Sequence, residues 1–560
     1  MLRLSNFPFS TLKTRPKISD NISTSILLQG SYIRQAMAGA YEFLPMGYRV
    51  LKNIENIIRE EMDLAGYHEM LFSILTPKEL WETTDRWEIP EYFKVPGWGT
   101  TEYRIAPTAE ENVTNIFKEY IQSYKDLPTC VYQIQKKFRN EKRAKSGLLR
   151  GREFVMKDAY SFHADIKDFE EFYKGVIKAY NTIFDRLGIA KDTVMADADG
   201  GAISDKNSHE FQTFLPIGED VIVMDSSGYC YNLELASGIA DEKNTSEKEE
   251  KLEIIDSVAE IVTMEKMADY FKAPLWKMLK TVVYKTDSGK YFSIILRGDL
   301  DVNELKVEKF IRKKFSEGFK QATEEDLQTL GTVRGFVTPL KNSNLKIINF
   351  ADESLKSAKN YFGGANSLAK SSKNVNISDL DILEFGDFNE PIEGFTSRNI
   401  PNEKLVFKRA SEVGNIFHLG NKYTKPFGIT YLDENNKTVD NVEMGCYGIG
   451  VSRLMGVMAE YFMTENGIAW PENVAPYTHY IIVIGEENIE KAEKLAKELE
   501  SEGKTVILDD RMGKKFGFGQ KASDCELWGI PNRIVISPKT LETNSYEFTK
   551  RGQQSEIIKF

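Results

Sequence analysis

The chain has 560 residues, which predicts three or four domains at about 150 residues each. Its 73 basic and 84 acidic side chains give a net charge of −11, which excludes indiscriminate nucleic-acid binding through overall positive charge. The composition, 41% hydrophobic and 28% charged, is typical of folded globular domains. No apolar run reaches the roughly 18 residues of a membrane helix, and residues 1–17 lack a secretory signal, so we expect a cytoplasmic protein without a membrane segment.

Cysteine and histidine are too scattered to predict a structural metal held by the protein. The five histidines are never spaced i, i+4, and the four cysteines form no CxxC pair. Neither a zinc site nor a disulfide framework is therefore expected. The cysteines are Cys130, Cys230, Cys446 and Cys525.

The N-terminal region is predicted to combine a helix with a strand pair. Residues 47–66 place apolar side chains on one face at helical spacing, and Gly66 fits a C-terminal stop. Residues 132–160 carry β-favouring residues around a polar, glycine-bearing middle, which predicts two strands joined by a long loop.

A separate unit is predicted in the middle of the chain. Residues 241–251 contain no apolar side chain and are interpreted as a linker. A helix over 258–271, a hairpin over 281–297 and a helix over 302–315 follow. A loop is expected over 363–378, before the unit ends.

The C-terminal region predicts a small α/β domain. From Pro476 onward, a strand (HYIIVI), a helix (ENIEKAEKLAKELESEG) and a second strand (KTVILDD) follow one another. This order is that of a βαβ unit.

A basic run interrupts the acidic chain at residues 136–157. It holds nine basic and two acidic side chains, which indicates a polyanion site, although a solvated charged face is the alternative. No Walker-type phosphate loop occurs anywhere in the sequence. Within the run, FRNE at 138–141 is followed after eight residues by RGREF at 150–154.

This spacing resembles motif 2 of the class II aminoacyl-tRNA synthetases. Further segments resemble the bacterial-type prolyl-tRNA synthetases within that class: APTAEE, REFVMKDAYSFH, EMGCYGIGVSRL and GQKASDCELWGIP. The resemblance covers nearly the whole chain. It implies an α+β catalytic core with an antiparallel sheet (1–235 and 404–472), an inserted α/β editing-type domain (236–403) and a C-terminal α/β anticodon-binding domain (476–560).

The family chemistry joins the carboxylate of proline to the α-phosphate of ATP, with Mg²⁺ on the triphosphate, and then transfers the prolyl group to tRNA(Pro). A guanidinium binds both anions with a fixed fork of donors, so Arg139 is the candidate that bridges them, and the resemblance gives the same role. Arg453 would stack on the adenine face opposite Phe154 and would also act in catalysis. Glu141, expected on the same strand as Arg139, would accept from the adenine amino group. The remaining ATP-binding candidates are Arg150 at the terminal phosphates, Glu412 as a possible magnesium ligand, and the glycines Gly448 and Gly450, for which close packing is the alternative.

The proline site needs acceptors for a secondary ammonium group beside an apolar slot. Thr108 and Glu110 match the family's acceptor loop, although Ala109 stands where relatives usually carry histidine. Cys446 is expected to line the pocket, with a buried packing role as the alternative. Phe162, His163 and His209 also resemble pocket positions, and satisfied core histidines are the alternative for the last two.

A proline pocket cannot strongly reject alanine, because one missing methylene is worth only about 1–3 kcal/mol. The resemblance implies hydrolytic editing in the inserted domain with Lys280 in its site; a solvated lysine at a helix end is the alternative. Ser371 stands where relatives often carry histidine, which makes editing less secure than synthesis.

Other departures and alternatives remain open. Ser73 replaces a proline in motif 1, the stretch that forms the class II dimer interface, yet we still expect a homodimer. His418 replaces a usual glutamine near the nucleotide. The rival functions are an inactive synthetase-like RNA-binding or regulatory protein and a synthetase for another small amino acid such as threonine. Candidate anticodon contacts, with structural roles as the alternative, are Arg511, Lys514, Lys515 and Lys521.

Overall fold

The computed structural model describes residues 1–17, 21–201, 203–204, 206 and 208–560. These residues form two compact units. Unit 1 comprises Met1–Met195, Gly200–Glu219 and Arg409–Phe560, and unit 2 comprises Ala196–Asp199 and Asp220–Lys408.

Both units contain helices and strands. The α-helices are α1 Ile22–Gln29, α2 Pro45–Leu64, α3 Lys78–Glu82, α4 Glu110–Tyr120, α5 Ile166–Arg186, α6 Met264–Phe271, α7 Glu304–Phe315, α8 Glu324–Thr329, α9 Val451–Tyr461, α10 Ile489–Ser501, α11 Phe518–Leu527 and α12 Pro538–Leu541. The strands are β1 Leu2–Arg3, β2 Ile33–Met37, β3 Ala40–Phe43, β4 His68–Glu69, β5 Leu75–Pro77, β6 Lys94–Pro96, β7 Glu102–Ile105, β8 Thr129–Phe138, β9 Glu153–His163, β10 Thr193–Ala198, β11 Ser208–Phe214, β12 Asp220–Met224, β13 Cys230–Asn232, β14 Glu253–Asp256, β15 Leu279–Thr286, β16 Tyr291–Arg297, β17 Phe319–Gln321, β18 Ile348–Asp352, β19 Tyr361–Gly364, β20 Lys370–Val375, β21 Glu384–Gly386, β22 Val406–Gly420, β23 Tyr431–Leu432, β24 Thr438–Val439, β25 Glu443–Ile449, β26 His479–Val483, β27 Val506–Asp509, β28 Asn532–Ile536, β29 Ser545–Lys550 and β30 Glu556–Lys559.

The main sheet of unit 1 is antiparallel through β8, β9, β25, β22 and β11, with the short β4 parallel to β8 at one edge. Helices α2, α5 and α9 pack together on one face of this sheet. The predicted helix over 47–66 is confirmed as α2, and its apolar face is buried. The predicted strand pair is confirmed as β8 and β9, and the antiparallel sheet of the predicted fold class is confirmed with it.

The C-terminal part of unit 1 has its own sheet. Strands β27, β26 and β28 are parallel neighbours, followed by the antiparallel β29 and β30. The predicted βαβ unit is confirmed as β26, α10 and β27. The two-residue β1 adds to the edge of this sheet parallel to β27, a pairing that two residues are too short to predict from periodicity.

Unit 2 contains the predicted hairpin as β15 and β16, beside the parallel β18, and the predicted helix α7. The expected loop over 363–378 is wrong, because β20 occupies residues 370–375. Serine and asparagine side chains conceal this strand in the sequence: Ser371 and Ser372 are fully buried, and Ser372 donates to the carbonyl of Gly364 at 2.8 Å.

Two further expectations for unit 2 need correction. The helix expected over 258–271 begins only at Met264, because Thr263 caps it by accepting from the backbone N–H of Lys266. The linker over 241–251 has neither helix nor strand, yet Asn244 is buried and exchanges two hydrogen bonds with the backbone of Lys359, at 2.7 and 3.0 Å. That segment is therefore a packed part of unit 2. In the described part of the chain, no helix is long and apolar enough to cross a bilayer.

Candidate active site

Unit 1 contains a cavity of about 240 Å³ against one face of its main sheet. Its walls come from β9, β22 and β25, from the loop between β8 and β9, and from the start of α4. The cavity brings together most of the residues singled out from the sequence: Thr108, Glu110, Arg139, Glu141, Arg150, Phe154, Glu412, Cys446, Gly448, Gly450 and Arg453.

Arg139 and Phe154 face each other across the strand pair. The Arg139 guanidinium lies 5.2 Å from the Phe154 ring centroid, a cation–π distance. Its backbone N–H donates to the carbonyl of Arg152 at 2.9 Å, which fixes the residue just beyond the end of β8. Among the described residues, the guanidinium has no hydrogen-bond partner. Its donors are therefore available to a ligand.

Glu141 lies beyond β8, which ends at Phe138, so the expectation that it continues that strand is wrong. It nevertheless lines the cavity, because the chain turns after the strand: the Glu141 N–H donates to the carbonyl of Arg139 at 2.8 Å. Its carboxylate accepts from Arg150 at 2.8–2.9 Å. This ion pair holds both ends of the loop at the same wall.

Arg453 lies in the first turn of α9, three residues after Gly450, which immediately precedes the helix. Its Nε donates to the carbonyl of Leu149 at 2.8 Å, and its Nη1 donates to the carboxylate of Glu412 at 2.7 Å. The guanidinium is therefore held between the β8–β9 loop and β22, with part of its surface facing the cavity.

The other end of the cavity is acidic. Ala109 caps α4, so Glu110 and Glu111 occupy its first turn, where the helix dipole favours negative charge. Cys446 donates to Glu110 Oε1 at 3.3 Å, and burial raises the pKa of the Cys446 thiol well above its usual value. The thiol is therefore neutral at physiological pH. Burial opposes the charged form of Glu110, but Arg86 and several hydrogen-bond donors outweigh burial and lower its pKa.

Sequence reasoning missed three neighbours of Phe154 on β9. Side chains two residues apart share one face of a strand, and Met156, Asp158 and Tyr160 accordingly line the cavity with Phe154. Tyr160 accepts from the N–H of Ala109 at 2.8 Å and donates to Asp158 at 2.9 Å. This period-two pattern was the signal that could have identified them.

Three predicted proline contacts lie outside the cavity lining: Phe162, His163 and His209. Phe162 stacks on Phe117 at 4.9 Å, further along β9. His163 projects to the opposite face, is fully buried, and contacts Ser161 and Asp168 at 2.8 Å each, while burial lowers its pKa. It is thus the satisfied core histidine of the alternative interpretation.

Two histidines singled out from the sequence, His209 and His418, each lie one residue away from the side chain that lines the cavity. His209 pairs with the hydroxyl of Tyr173 at 2.7 Å, whereas the adjacent Glu210 lines the cavity. His418 contacts Glu443 at 2.8 Å, whereas the adjacent Phe417 lines the cavity. Neither histidine is part of the cavity wall, because alternation along β11 and β22 directs it to the other face.

Unit 2 has a larger cavity, of about 560 Å³, and Lys280 lies in its wall. The Lys280 amine donates to the carbonyl of Leu300 at 3.0 Å and to the carboxylate of Asp301. The lysine is the second residue of β15, not a residue at a helix end. Ser371 does not reach this cavity, because its hydroxyl is buried and donates to Ser257 at 2.8 Å.

The basic side chains near α11 differ in exposure. Lys521 is fully buried and donates to the carbonyls of Val483 and Asp509, at 2.7 and 2.9 Å, so it is not available to an RNA partner. Arg511 is largely buried in ion pairs with aspartates. Lys514 and Lys515 are exposed. Within the described residues, no group of three or more His, Cys, Asp or Glu side chains is arranged to hold a metal ion.

Comparisons with known proteins match two family models, which together cover most of the chain. Residues 93–462 match the family model of the tRNA synthetase class II core domain (G, H, P, S and T), and residues 478–559 match that of an anticodon binding domain. A proline–tRNA ligase of Sulfurihydrogenibium sp. (strain YO3AOP1) is 38% identical over 99% of this chain and 97% of the relative. One of Bacillus subtilis (strain 168) is 37% identical over 98% of this chain and 96% of the relative.

Solved structures share the fold at low sequence identity. The Giardia lamblia prolyl-tRNA synthetase in complex with prolyl-adenylate has a TM-score of 0.57 at 16% identity, covering 96% of this chain and 74% of that one. The Cryptosporidium parvum prolyl-tRNA synthetase complexed with L-proline and AMP has a TM-score of 0.55 at 14% identity, covering 96% of this chain and 72% of that one. These similarities concern the fold alone.

Proposed function

The chain belongs to the bacterial-type proline–tRNA ligases of the class II aminoacyl-tRNA synthetases, and from this premise we propose that the unit 1 cavity is where proline and ATP react. The enzyme uses ATP to activate proline as prolyl-adenylate and transfers the prolyl group to the 3′ end of tRNA. We assign the first step to the cavity residues described above.

The charge distribution within one cavity carries this proposal. The guanidinium groups of Arg139, Arg150 and Arg453 and the carboxylate of Glu110 all line it. Arg139 contacts Phe154 near the start of β9, whereas Tyr160, further along that strand, accepts from the N–H of Ala109 beside Glu110, so the arginines and Glu110 are assigned to opposite ends. Proline carries a positive ammonium group and a negative carboxylate, while ATP is a polyanion. Placed with its ammonium at Glu110, proline would direct its carboxylate towards the arginine end, where the α-phosphate would bind.

The role of Arg139 is to hold the two reacting anions together. A guanidinium can donate to a carboxylate oxygen and a phosphate oxygen at once, which offsets their repulsion and the charge that develops during in-line attack. Positioning and electrostatic stabilisation suffice for this reaction, so no protein nucleophile is needed. The neutral, buried Cys446 fits a role in the pocket wall.

The adenine is proposed to bind between Phe154 and Arg453, both of which line the cavity. Aromatic stacking on one face and a guanidinium on the other are favourable for a planar base. Glu141 would accept from the exocyclic amino group, and Arg150, its ion-pair partner, would contact the terminal phosphates.

Magnesium is proposed to arrive with ATP, since Mg²⁺ prefers oxygen ligands and keeps several waters. The donor set of the cavity fits this mode of binding, because Glu412 is a carboxylate in the wall and its Oε2 is held by Arg453. Glu412 could supply one ligand, and triphosphate oxygens and water would supply the rest. When bound, the ion would neutralise the leaving pyrophosphate.

Domain boundaries and the tRNA contacts remain proposals. We assign 1–235 and 404–472 to the catalytic core, 236–403 to the inserted domain and 476–560 to anticodon binding. Unpaired anticodon bases can be splayed and contacted on their edges. The exposed Lys514 and Lys515 are the remaining basic candidates of those proposed from the sequence.

The ligase activity is tested by aminoacylation of a proline-isoacceptor tRNA transcript with labelled proline. We expect ATP-dependent charging with proline. Failure to charge, together with retained tRNA binding, would favour the alternative of an inactive synthetase-like RNA-binding protein.

Editing by unit 2 is proposed from the cavity that contains Lys280. The prediction is that Lys280→Ala lowers the rate of hydrolysis of alanyl-tRNA(Pro) by about 10- to 100-fold, the range for losing a hydrogen bond from a charged group. Lys285→Ala is the matched control, because Lys285 lies on the same strand but pairs with Asp326 outside the cavity wall. Equal hydrolysis by wild type and Lys280→Ala would contradict an editing role for this lysine.

A homodimer is proposed from the exposed leucines around motif 1. Leu64, Leu71 and Leu75 are 80%, 73% and 48% exposed, and we infer that a second copy of the chain covers them. Ser73 donates to the carbonyl of Leu75 at 2.7 Å, so its hydroxyl has a local partner at the position where the motif usually carries proline.

Light scattering at micromolar concentration should give twice the mass of one chain, and Leu71→Asp should shift the enzyme towards monomer because a charge would be buried between the copies. Leu368→Asp, at a leucine of unit 2 that is 58% exposed, should leave the mass unchanged. A monomeric wild-type enzyme would refute the proposal.

A further inference from the structure

Arg86 is a buried arginine that lies outside the cavity lining and outside the sequence motifs. It follows α3, and only 2% of its surface is exposed. Its guanidinium carbon lies 5.3–5.5 Å from three aromatic ring centroids, which enclose the group and restrict its orientation. The rings are those of Trp81, Tyr92 and Tyr423.

The donors of Arg86 contact both acceptor side chains at the acidic end of the cavity. Nη1 donates to Glu110 Oε2 at 3.2 Å and to Glu111 Oε1 at 2.8 Å. Nη2 donates to the hydroxyl of Thr108 at 3.3 Å and to that of Tyr92 at 2.9 Å. One planar group therefore fixes Thr108 and Glu110 relative to each other, which a flexible amine could not do.

Of the two carboxylates beside Arg86, the one that lines the cavity is the one that stays ionised. Two fully buried carboxylates, Glu110 and Glu111, share this single guanidinium. Burial raises the pKa of Glu111, whereas additional donors keep the pKa of Glu110 low. The carboxylate that faces the cavity is therefore the one that keeps its charge.

The thiol and phenol neighbours of Glu110 carry no charge. Burial raises the pKa values of Cys446, Tyr160 and Tyr423 well above their usual range, so all three are neutral. Asp158 is held by Lys137 at 2.9 Å. Thr108 and the ionised Glu110 therefore present acceptors to the cavity, which suits the N–H donors of a cationic ligand group.

We propose that Arg86 is a positioning residue for the proline ammonium group: it fixes Thr108 and Oε2 of Glu110, so that the remaining acceptor surface of both side chains faces the cavity. This inference rests on the proposed function of the cavity. Arg86 itself touches neither proline nor ATP. Its removal should weaken recognition of proline without altering the ATP end.

Arg104 offers a matched control for the effect of deleting a buried arginine. It is fully buried and lies against two of the same rings, 5.2 Å from Trp81 and 5.0 Å from Tyr92. Its donors bind the backbone carbonyls of Trp87 and Ile89. Arg104→Met therefore disturbs the same aromatic cluster without removing a contact to Thr108 or Glu110.

The experiment measures KM for proline, KM for ATP and kcat in ATP–pyrophosphate exchange. Arg86→Met should raise the proline KM about 10- to 100-fold, the effect of losing hydrogen bonds to a charged group, and should change the ATP KM and kcat by less than about threefold. Arg86→Lys should fall between wild type and Arg86→Met. Arg104→Met should keep the wild-type proline KM even if its melting temperature falls.

An unchanged proline KM in Arg86→Met, or an equal rise in Arg104→Met, would overturn the positioning role. If Arg86→Met does not fold, Arg86→Lys is the test. A wild-type proline KM in Arg86→Lys would show that the planar fork is unnecessary and would overturn the proposal, whereas a raised proline KM would support it. The wild-type enzyme separates the two claims. Absence of proline-dependent exchange in wild type would defeat the proposed function, whereas a normal wild type with unaffected Arg86 variants would defeat only this inference.

Discussion

Arg139→Ala is expected to lower kcat/KM for proline-dependent ATP–pyrophosphate exchange by about 10³-fold. Loss of one preorganised electrostatic contact to a transition state costs about 10²- to 10³-fold, and Arg139 is assigned contacts to both reacting anions. The folded structure should tolerate the change, because the guanidinium makes no hydrogen bond within the described part of the chain and only contacts the Phe154 ring. The melting temperature should therefore stay near that of wild type.

The control for this prediction is Arg143→Ala, in the same loop but outside the cavity wall. It removes one positive charge from the same basic segment and should retain nearly full exchange activity. Arg139→Lys should remain severely impaired, since an ammonium group cannot reproduce the planar fork. Near-normal exchange in Arg139→Ala would contradict its assigned role.

Arg453→Ala is expected to lower kcat/KM for ATP by about 10²-fold or more, with much of the loss in KM. The substitution removes a proposed contact to the base and also the fixed link from Leu149 to Glu412, at 2.8 and 2.7 Å. Steady-state exchange at varied ATP concentration measures this effect. The KM for proline should change much less, because Glu110 is at the other end of the cavity.

A double variant distinguishes two roles of Arg453: binding the nucleotide and neutralising the charge of Glu412. If Arg453 acted only by neutralising Glu412, then Arg453→Ala combined with Glu412→Gln would restore activity. We expect no such recovery, because the guanidinium is also assigned to the nucleotide. Recovery to near wild-type exchange would contradict the proposed stacking of Arg453 on the adenine.

The predictable part of the site is the part with a local chemical signal. Arg139, Phe154 and Arg453 occur in short motifs that residue type and spacing are enough to recognise, and the structure brings all three to one cavity. The apolar periodicity that predicted α2 is equally local. In contrast, Met156 and Tyr160 belong to the same strand face as Phe154 but carry no motif of their own.

The histidines show why residue chemistry alone misleads. His209 was selected for its resemblance to a pocket position and His418 for its place near the nucleotide, yet Glu210 and Phe417, one residue away, line the cavity instead. A shift of one position along a strand moves a side chain to the other face of the sheet. The exact register is set by pairing with neighbouring strands, which a single sequence does not specify.

Arg86 and Lys521 depend on tertiary structure in a different way. Arg86 is separated from Glu110 by 24 residues and meets it only after folding. Lys521 belongs to a set of basic residues proposed to contact RNA, yet packing buries it completely. Sequence composition counts such charges, whereas only the folded chain determines which of them face solvent.

The central claim is that the unit 1 cavity selects proline and activates it with ATP. The most direct measurement is ATP–pyrophosphate exchange with each of the twenty amino acids, using Arg139→Ala as the blank. We predict strong exchange with proline, weak exchange with alanine, and essentially none with threonine or the larger amino acids. Absence of proline-dependent exchange, or stronger exchange with another amino acid, would contradict the account.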